Sequence, residues 1–178
     1  MNFFLHLHFE KQSTFKMKKE LKIIRRWLVF FIVALFLSGL TAIPLEQELA
    51  LLTRSISTDT TIGAWIERVY LAIVQTNRHY PFLAYGYDWL AFAHFVLAIL
   101  FIGPLIDPVK NKWVIQFGII ACILIIPYAM IAGYFRGIPL GWRLIDCAFG
   151  VIGVVPLSIC LELIQKLEKP ANEFSYES

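Results

Sequence analysis

Charged residues are scarce in this sequence. Asp, Glu, Lys and Arg make up 16% of the 178 residues, hydrophobic residues make up 58%, and mean hydropathy is +0.67. Soluble domains average about 25% charged and about 45 to 50% apolar residues. An ordinary soluble domain is therefore excluded. Nucleic-acid binding is not expected either, because the short basic run adjoins an apolar segment and is explained by membrane topology and anionic lipid.

Paired cysteines and familiar catalytic motifs are missing as well. Cys122, Cys147 and Cys160 lie in apolar runs without CxxC spacing, which indicates small core residues and no disulfide framework or zinc site. Neither HExxH nor GxSxG occurs, nor do the basic Arg-Pro run and Ser-Gly-His of acid-phosphatase-type lipid phosphatases. We therefore expect no metal and no cofactor, and assign no catalytic residue.

Four long apolar segments are present, and they predict an all-α integral membrane protein with four transmembrane helices. The predicted spans are about 27–44, 82–104, 113–135 and 142–163, within a membrane domain of residues 27–167. Roughly 20 helical residues cross the hydrocarbon core. The first run exceeds the usual signal-peptide core of about 7 to 15 residues, so we expect an uncleaved anchor. Residues 1–26 form a basic N-terminal segment, in which Met17 is as natural a start as Met1.

The segment 45–81, between the first two spans, is less apolar. It predicts a short helix from Leu45 to Arg54 and a second helix from Thr61 to Asn77, capped by Thr58 or Asp59. Apolar residues line one side of the second helix, which predicts an amphipathic extracytoplasmic helix in the membrane interface. The alternative is a helix packed on the outer ends of the spans.

Lysine is confined to three regions of the chain. All nine lysines lie in 11–22, at 110 and 112, or at 166 and 169. With these regions on one side, eleven Lys and Arg lie inside and five arginines outside, in agreement with the positive-inside rule. The predicted topology is multi-pass in a bacterial inner (plasma) membrane, with the N-terminus and the 168–178 tail cytoplasmic.

Several polar residues fall near the outer boundary of the predicted spans. The candidate ligand-binding residues are Asp88, His94, Arg136, Arg143 and Asp146. Asp88 and His94 lie about 120° apart on their helix and do not share a face. Arg143 and Asp146 do share one, either as parts of a site or as a local i, i+3 ion pair. Gly150 and Gly153 continue that face, so another helix can approach it closely.

Two stretches carry a resemblance to a known family. YDWLAFAHF, ending at Phe95, and RGIPLGWRLIDCAFGVIG, from Arg136 to Gly153, resemble an uncharacterised family of bacterial multipass membrane proteins and, more distantly, the VanZ-like family linked to teicoplanin resistance. VanZ-like proteins have four spans, an acid before a His-Phe pair in the second helix, and an aspartate followed by glycine in the last. The resemblance implies that Asp88, His94 and Asp146 are the family's polar positions, although its third-helix Glu and Gln have no equivalent here.

Three functions are consistent with this pattern. The first is binding of an anionic lipid headgroup or cell-envelope precursor, with Arg136 and Arg143 on phosphate, since arginine presents a planar fork suited to it. The second is a structural or accessory subunit that packs against a membrane-protein partner or forms a homo-oligomer. The third is an intramembrane lipid-modifying enzyme that uses His94, which we favour least. Membrane lipids are the expected partners.

Overall fold

The computed structural model describes the backbone of residues 2–173 and the side chains of residues 14–168. Over that range the chain is helical, without strands, which confirms the all-α prediction. The helices are α1 (Asn2–Ala42), α2 (Leu45–Ser55), α3 (Thr61–His79), α4 (Tyr85–Leu100), α5 (Ile102–Ile106), α6 (Lys112–Phe135) and α7 (Leu140–Glu173), with a 3-10 turn at Pro81–Ala84.

Four helical segments are long and apolar enough to cross a membrane. They are Thr14–Ala42, Pro81–Ile106, Lys112–Phe135 and Leu140–Glu168, with mean hydropathy of 2.0 to 2.4. Large apolar side chains cover their outward faces; Ile99 is 64% exposed and Phe149 is 63% exposed. Such a surface suits lipid, in which helices satisfy their own backbone hydrogen bonds. The chain therefore has the architecture of a multi-pass membrane protein.

The four spans are not packed equally around one axis. α1 packs against α4 on one side and α7 on the other, and α6 packs mainly on α7. The buried core lies toward the end of the bundle that carries Lys22, Lys110, Lys112 and Lys166, which we call the lysine end. Its members are Ile24, Leu28, Phe31, Phe101, Val114, Ile115, Cys122, Leu157, Cys160 and Ile164.

Contacts at the lysine end bring the three lysine regions together. Lys112 Nζ donates to Glu168 Oε2 at 2.6 Å, which joins the start of α6 to α7. Cys160 Sγ lies 3.7 Å from the carbonyl oxygen of Ile24, which joins α7 to α1. Cys122, Cys147 and Cys160 are all free and buried, as predicted for small core residues.

The turn between α5 and α6 also lies at the lysine end. The Lys110 amide donates to Asp107 Oδ1 at 3.1 Å, and this hydrogen bond lowers the pKa of Asp107 below its usual value. The side-chain amide of Asn111 donates to the carbonyl oxygens of Gly103 and Asp107 and so closes the same turn. These bonds supply partners for backbone groups that the end of α5 leaves free.

The opposite end, which carries Arg136 and Arg143, is the arginine end. Here α6 stops in a Schellman motif: the Ile138 amide donates to Gly133 O at 2.9 Å and the Gly137 amide to Tyr134 O at 3.1 Å. Gly137 has φ of +65°, a conformation that glycine adopts without steric cost. The connection from α6 to α7 is therefore a short turn, as the predicted spans 113–135 and 142–163 require.

Gly150 and Gly153 let α6 and α7 come into close contact. A Cβ built on Gly150 would collide with the carbonyl oxygen of Cys122, and one built on Gly153 would lie 2.7 Å from Cys122 Sγ. The backbone of α6 therefore occupies the space that a side chain at 150 would need. This confirms that the small-residue face after Asp146 packs against a neighbouring helix.

α2 and α3 form a hairpin across the arginine end. Asn77 joins three helices: its amide donates to Glu46 Oε2 at 2.8 Å, and its oxygen accepts from the Tyr87 hydroxyl at 3.0 Å. At the other end of α3, Ile62 lies beside Gly141 at the start of α7, where a Cβ on Gly141 would come within 3.5 Å of its side chain. Since Ile62 and Asn77 are separated by about 22 Å of helix, α3 bridges α7 and α4.

The two predicted helices of this segment are present within two residues of their expected ends, but the predicted cap is wrong. Thr60, not Thr58 or Asp59, accepts a hydrogen bond from the Gly63 amide at 3.0 Å. Asp59 accepts instead from the Ser57 hydroxyl, so its carboxylate is engaged before the helix begins. That α3 is amphipathic and lies in the membrane interface stays a prediction. Its polar and apolar faces are not cleanly separated, since Leu71 is exposed on the same face as Glu67 and Arg68.

The Gly150→Ala substitution tests the close approach of α6 and α7. A methyl group there would press on the backbone of Cys122, and overpacking of this kind costs about 1 to 3 kcal/mol. Alanine recovers at most about 1 kcal/mol of helix propensity. We expect the midpoint of thermal unfolding in detergent, followed by tryptophan fluorescence, to fall by several degrees, at about 2 to 4 °C per kcal/mol.

Gly86→Ala is the matched control. A Cβ at Gly86 in α4 would meet no heavy atom within 4 Å, so only the gain in helix propensity applies. Its midpoint should be unchanged or higher. Equal midpoints for the wild type and Gly150→Ala would contradict backbone contact between α6 and α7.

Candidate functional site

The five predicted site residues lie in three places, not in one cluster. Asp88 lies exposed on α4, in a shallow groove of about 270 Å³ that it shares with Tyr85, Trp89 and Phe92. The three aromatic rings stack edge to face, with centroids 5.8 and 5.5 Å apart. His94 lies on another side of the same helix, which confirms that Asp88 and His94 do not share a face.

Arg136 and Arg143 occupy the second place, on either side of the turn between α6 and α7. Arg136 is exposed at the end of α6. Arg143 lies against Gly133, which leaves room for its methylene groups, and its Nη1 donates to Met130 O at 3.3 Å. Its Nε is buried without an acceptor among residues 14–168. Arg143 thus hydrogen-bonds the backbone of α6 through Nη1, while its Nε lacks a hydrogen-bond acceptor.

Of the two alternatives for Arg143 and Asp146, the local i, i+3 ion pair is wrong. Among the side chains of residues 14–168, the ion pairs are Lys110–Asp107 and Lys112–Glu168. Residues three apart on a helix differ by about 60° in direction. Here that angle is enough to point Arg143 at α6, where Gly133 leaves a gap, while Asp146 faces a cleft on the other side.

This cleft, the third place, is a cavity of about 460 Å³ between α4 and the α6–α7 pair, with α1 as its back wall. Three polar side chains line it: Ser38 from α1, His94 from α4 and Asp146 from α7. The rest of the lining is apolar, made of Phe30, Phe31, Ala34, Leu35, Leu90, Cys122, Ile125, Phe149, Ile152 and Gly153. Most of these residues are exposed at the bundle surface, so the cleft opens sideways.

The polar and apolar parts of the lining are separated along the membrane normal. On α1, Ser38 lies about 10 Å nearer the arginine end than Phe31, and on the antiparallel α7, Asp146 lies about 10 Å nearer that end than Gly153. The His94 Cβ is adjacent to Gly39, level with Ser38. Leu90 lies about 6 Å nearer the arginine end than His94, but the other apolar residues of the cleft lie toward the middle of the bundle and the three polar residues toward the arginine end.

His94 makes one hydrogen bond, to its own helix. Its Nδ1 lies 2.8 Å from the carbonyl oxygen of Leu90. Since a carbonyl oxygen only accepts, we assign the imidazole proton to Nδ1, which leaves Nε2 of the neutral ring as an acceptor. His79 bonds Gln75 O in the same way at 2.9 Å, but it lies on α3 outside the cleft. The two histidines thus make the same hydrogen bond, but only His94 lines the cleft.

Asp146 and Ser38 are without hydrogen-bond partners among the described side chains. Asp146 is half-buried and lies about 9 Å along α7 from its first residue. Ser38 also differs from Thr53 and Ser55, whose hydroxyls donate to carbonyls of their own helix. An ionisable residue inside a spanning helix is costly and usually serves a function. These groups are available to something that enters the cleft.

Sequence reasoning missed two residues. Ser38 and Thr41 are the two hydroxyl residues of the first predicted span, and a hydroxyl in so apolar a run is a usable signal. The sequence predicts Asn77 only as the end of the second helix, and nothing in its local sequence indicates that it joins α2, α3 and α4. Among residues 14–168, no group of three or more His, Cys, Asp or Glu is arranged to hold a metal ion.

The chain matches no protein-family model, no curated protein and no solved structure. The resemblance to VanZ-like proteins therefore stays a prediction, and the function has to be argued from the cleft.

The packing of Arg143 on Gly133 can be tested by a double-mutant cycle. A Cβ on Gly133 would overlap Cγ and Cδ of Arg143, so Gly133→Ala should displace the arginine and lower the unfolding midpoint by a few degrees. In an Arg143→Ala background the methyl group has free space, and the same substitution should cost nothing. Strict additivity of the two changes would contradict the contact.

Proposed function

We propose that this protein binds a lipid within the bilayer, with the lipid chain in the cleft between α4 and the α6–α7 pair. The observation that carries the proposal is the cleft itself, a cavity of about 460 Å³ with an apolar part and a polar part. Ligand pockets are typically about 300 to 1,000 Å³, mostly apolar, with a few placed polar groups. The cleft has that composition.

The direction of the cleft gives the orientation of the ligand. A chain lies against Phe31, Phe149 and Ile152 toward the middle of the bundle, and the polar group points toward Ser38, His94 and Asp146. A lipid in the leaflet at the arginine end already has this orientation. It enters sideways without turning over, and it fills a space that would otherwise lack contacts.

The arginines form a separate part of the proposal. Arg136 is exposed at the end of α6 and lies at the level of the lipid headgroups when the four spans cross the bilayer, whereas Arg143 lies in the first turn of α7 with its guanidinium bound to Met130 O. An exposed guanidinium at that level favours phosphate. We infer that Arg136 holds the protein against anionic headgroups, with α3 along the membrane surface beside it. Lysine at the other end favours the cytoplasmic side for both termini.

Filling the cleft should remove the lipid. Ala34 lines the cleft and is exposed in it, so an indole in Ala34→Trp would occupy the space of the chain. We expect native mass spectrometry of the protein, extracted in mild detergent, to show a lipid adduct on the wild type that is largely lost in Ala34→Trp. Ala148→Trp is the matched control, since Ala148 is exposed on α7 but does not line the cleft.

Equal adducts on the wild type and both variants would contradict lipid binding in the cleft. A stoichiometric membrane-protein partner, with no lipid adduct on the wild type, would instead favour an accessory subunit.

A further inference from the structure

We propose that the cleft selects a long-chain lipid whose head is an uncharged hydroxyl group, held between His94 Nε2 and the Asp146 carboxyl. This inference rests on the proposed function and adds the chemical class of its ligand. It follows from three features of the cleft: which hydrogen-bonding groups are unused, how deep they lie, and which charges are missing from the lining.

The unused groups are mainly acceptors. In the neutral imidazole, the hydrogen bond from Nδ1 to Leu90 O leaves Nε2 of His94 with a lone pair and no proton. Asp146 has no donor among the described residues, either as an ion pair or as a hydrogen bond. Two acceptors that face one cavity and share no donor are complementary to a ligand that brings an O–H or N–H group.

A hydroxyl suits this pair better than an ammonium group. A hydroxyl donates its one proton to His94 Nε2, and its oxygen accepts from the protonated carboxyl of Asp146; with the ionised carboxylate it pairs with only one of the two groups at a time. An ammonium group has no lone pair and would need the carboxylate to be ionised. The Ser38 hydroxyl, on the third wall of the cleft, can donate to the oxygen of the ligand or accept from it.

The depth and charge of the cleft exclude a phosphate head. Asp146 lies about 9 Å inside the first residue of α7, below the level of Arg136 and Arg143. Neither arginine lines the cleft, and Arg143 is bound to α6. A phosphate at this depth would meet a carboxyl group and no cation, and burial of an unpaired charge is costly. A small neutral head avoids that cost.

The test is competition between three probes with one chain: oleyl alcohol, oleyl methyl ether and oleylamine. The ether keeps the oxygen of the alcohol and lacks only the O–H donor. Each probe is added to the full-length protein in detergent, and occupancy is read by native mass spectrometry. We expect the wild type to prefer the alcohol over the ether by roughly tenfold, the effect of one good hydrogen bond.

The double variant His94→Phe/Asp146→Leu makes the cleft apolar while nearly preserving side-chain volume. It should bind the ether as well as the wild type does, with the preference for the alcohol gone. His79→Phe/Asp88→Leu removes the same two chemical groups outside the cleft and should keep the preference. Because apolar residues replace polar ones inside spans, loss of folded protein is not expected from the double variant.

Three results would overturn the inference. They are equal binding of alcohol and ether by the wild type, stronger binding of oleylamine than of the alcohol, or a preference that survives in the double variant. In each of these cases the probes still bind, so the proposed lipid cleft stands. Binding of no probe by the wild type, with no effect of Ala34→Trp on native lipid, would instead remove the proposed function itself.

Discussion

Backbone contact between α6 and α7 determines how the other spans are arranged. Gly150 and Gly153 carry no side chain where α7 passes Cys122, so the two helices lie together as a pair. α1 then packs on this pair through α7 and on α4 through its other side. The core fills the lysine end, where Phe101 reaches Phe31 with ring centroids 4.7 Å apart. Toward the arginine end, α4 and the α6–α7 pair line opposite sides of the cleft.

The polar residues within the spans are accommodated by different means. Lys112 and Glu168 neutralise each other at the lysine end. Arg143 packs its methylene groups against Gly133, and its Nη1 donates to the carbonyl oxygen of Met130 in α6. A carbonyl oxygen has two lone pairs, so it can accept this bond beside the one within its helix. His94 donates to its own helix through Nδ1. Asp146 differs from all of these, because the described residues leave its carboxyl without a partner at a depth where partners are needed. That contrast is the reason to place a ligand beside it.

Much of the fold could be predicted from the sequence, because hydropathy and turn chemistry act locally. The four spans and the small-residue face at Gly150 follow from short stretches of sequence. The candidate site was predicted only in part, because its geometry depends on contacts between distant helices. Arg143 and Asp146 share a helix face by spacing, yet Gly133, ten residues before Arg143, draws the arginine toward α6. Ser38 lies near His94 and Asp146 only because α1 forms the back wall of the cleft. The spacing of these residues along the chain could not have predicted this.

The position of α3 has a consequence for how the cleft exchanges its contents. α3 bridges α7 and α4 at the arginine end, tied by Asn77 to Tyr87 and by Ile62 to Gly141, whereas the lining below it is open to the side. If the cleft holds a lipid as proposed, that lipid would reach it by two-dimensional diffusion within one leaflet, without passing through water. Occupancy of such a site is governed by the mole fraction of the ligand in that leaflet, so a change in membrane composition alone would be enough to load or empty it.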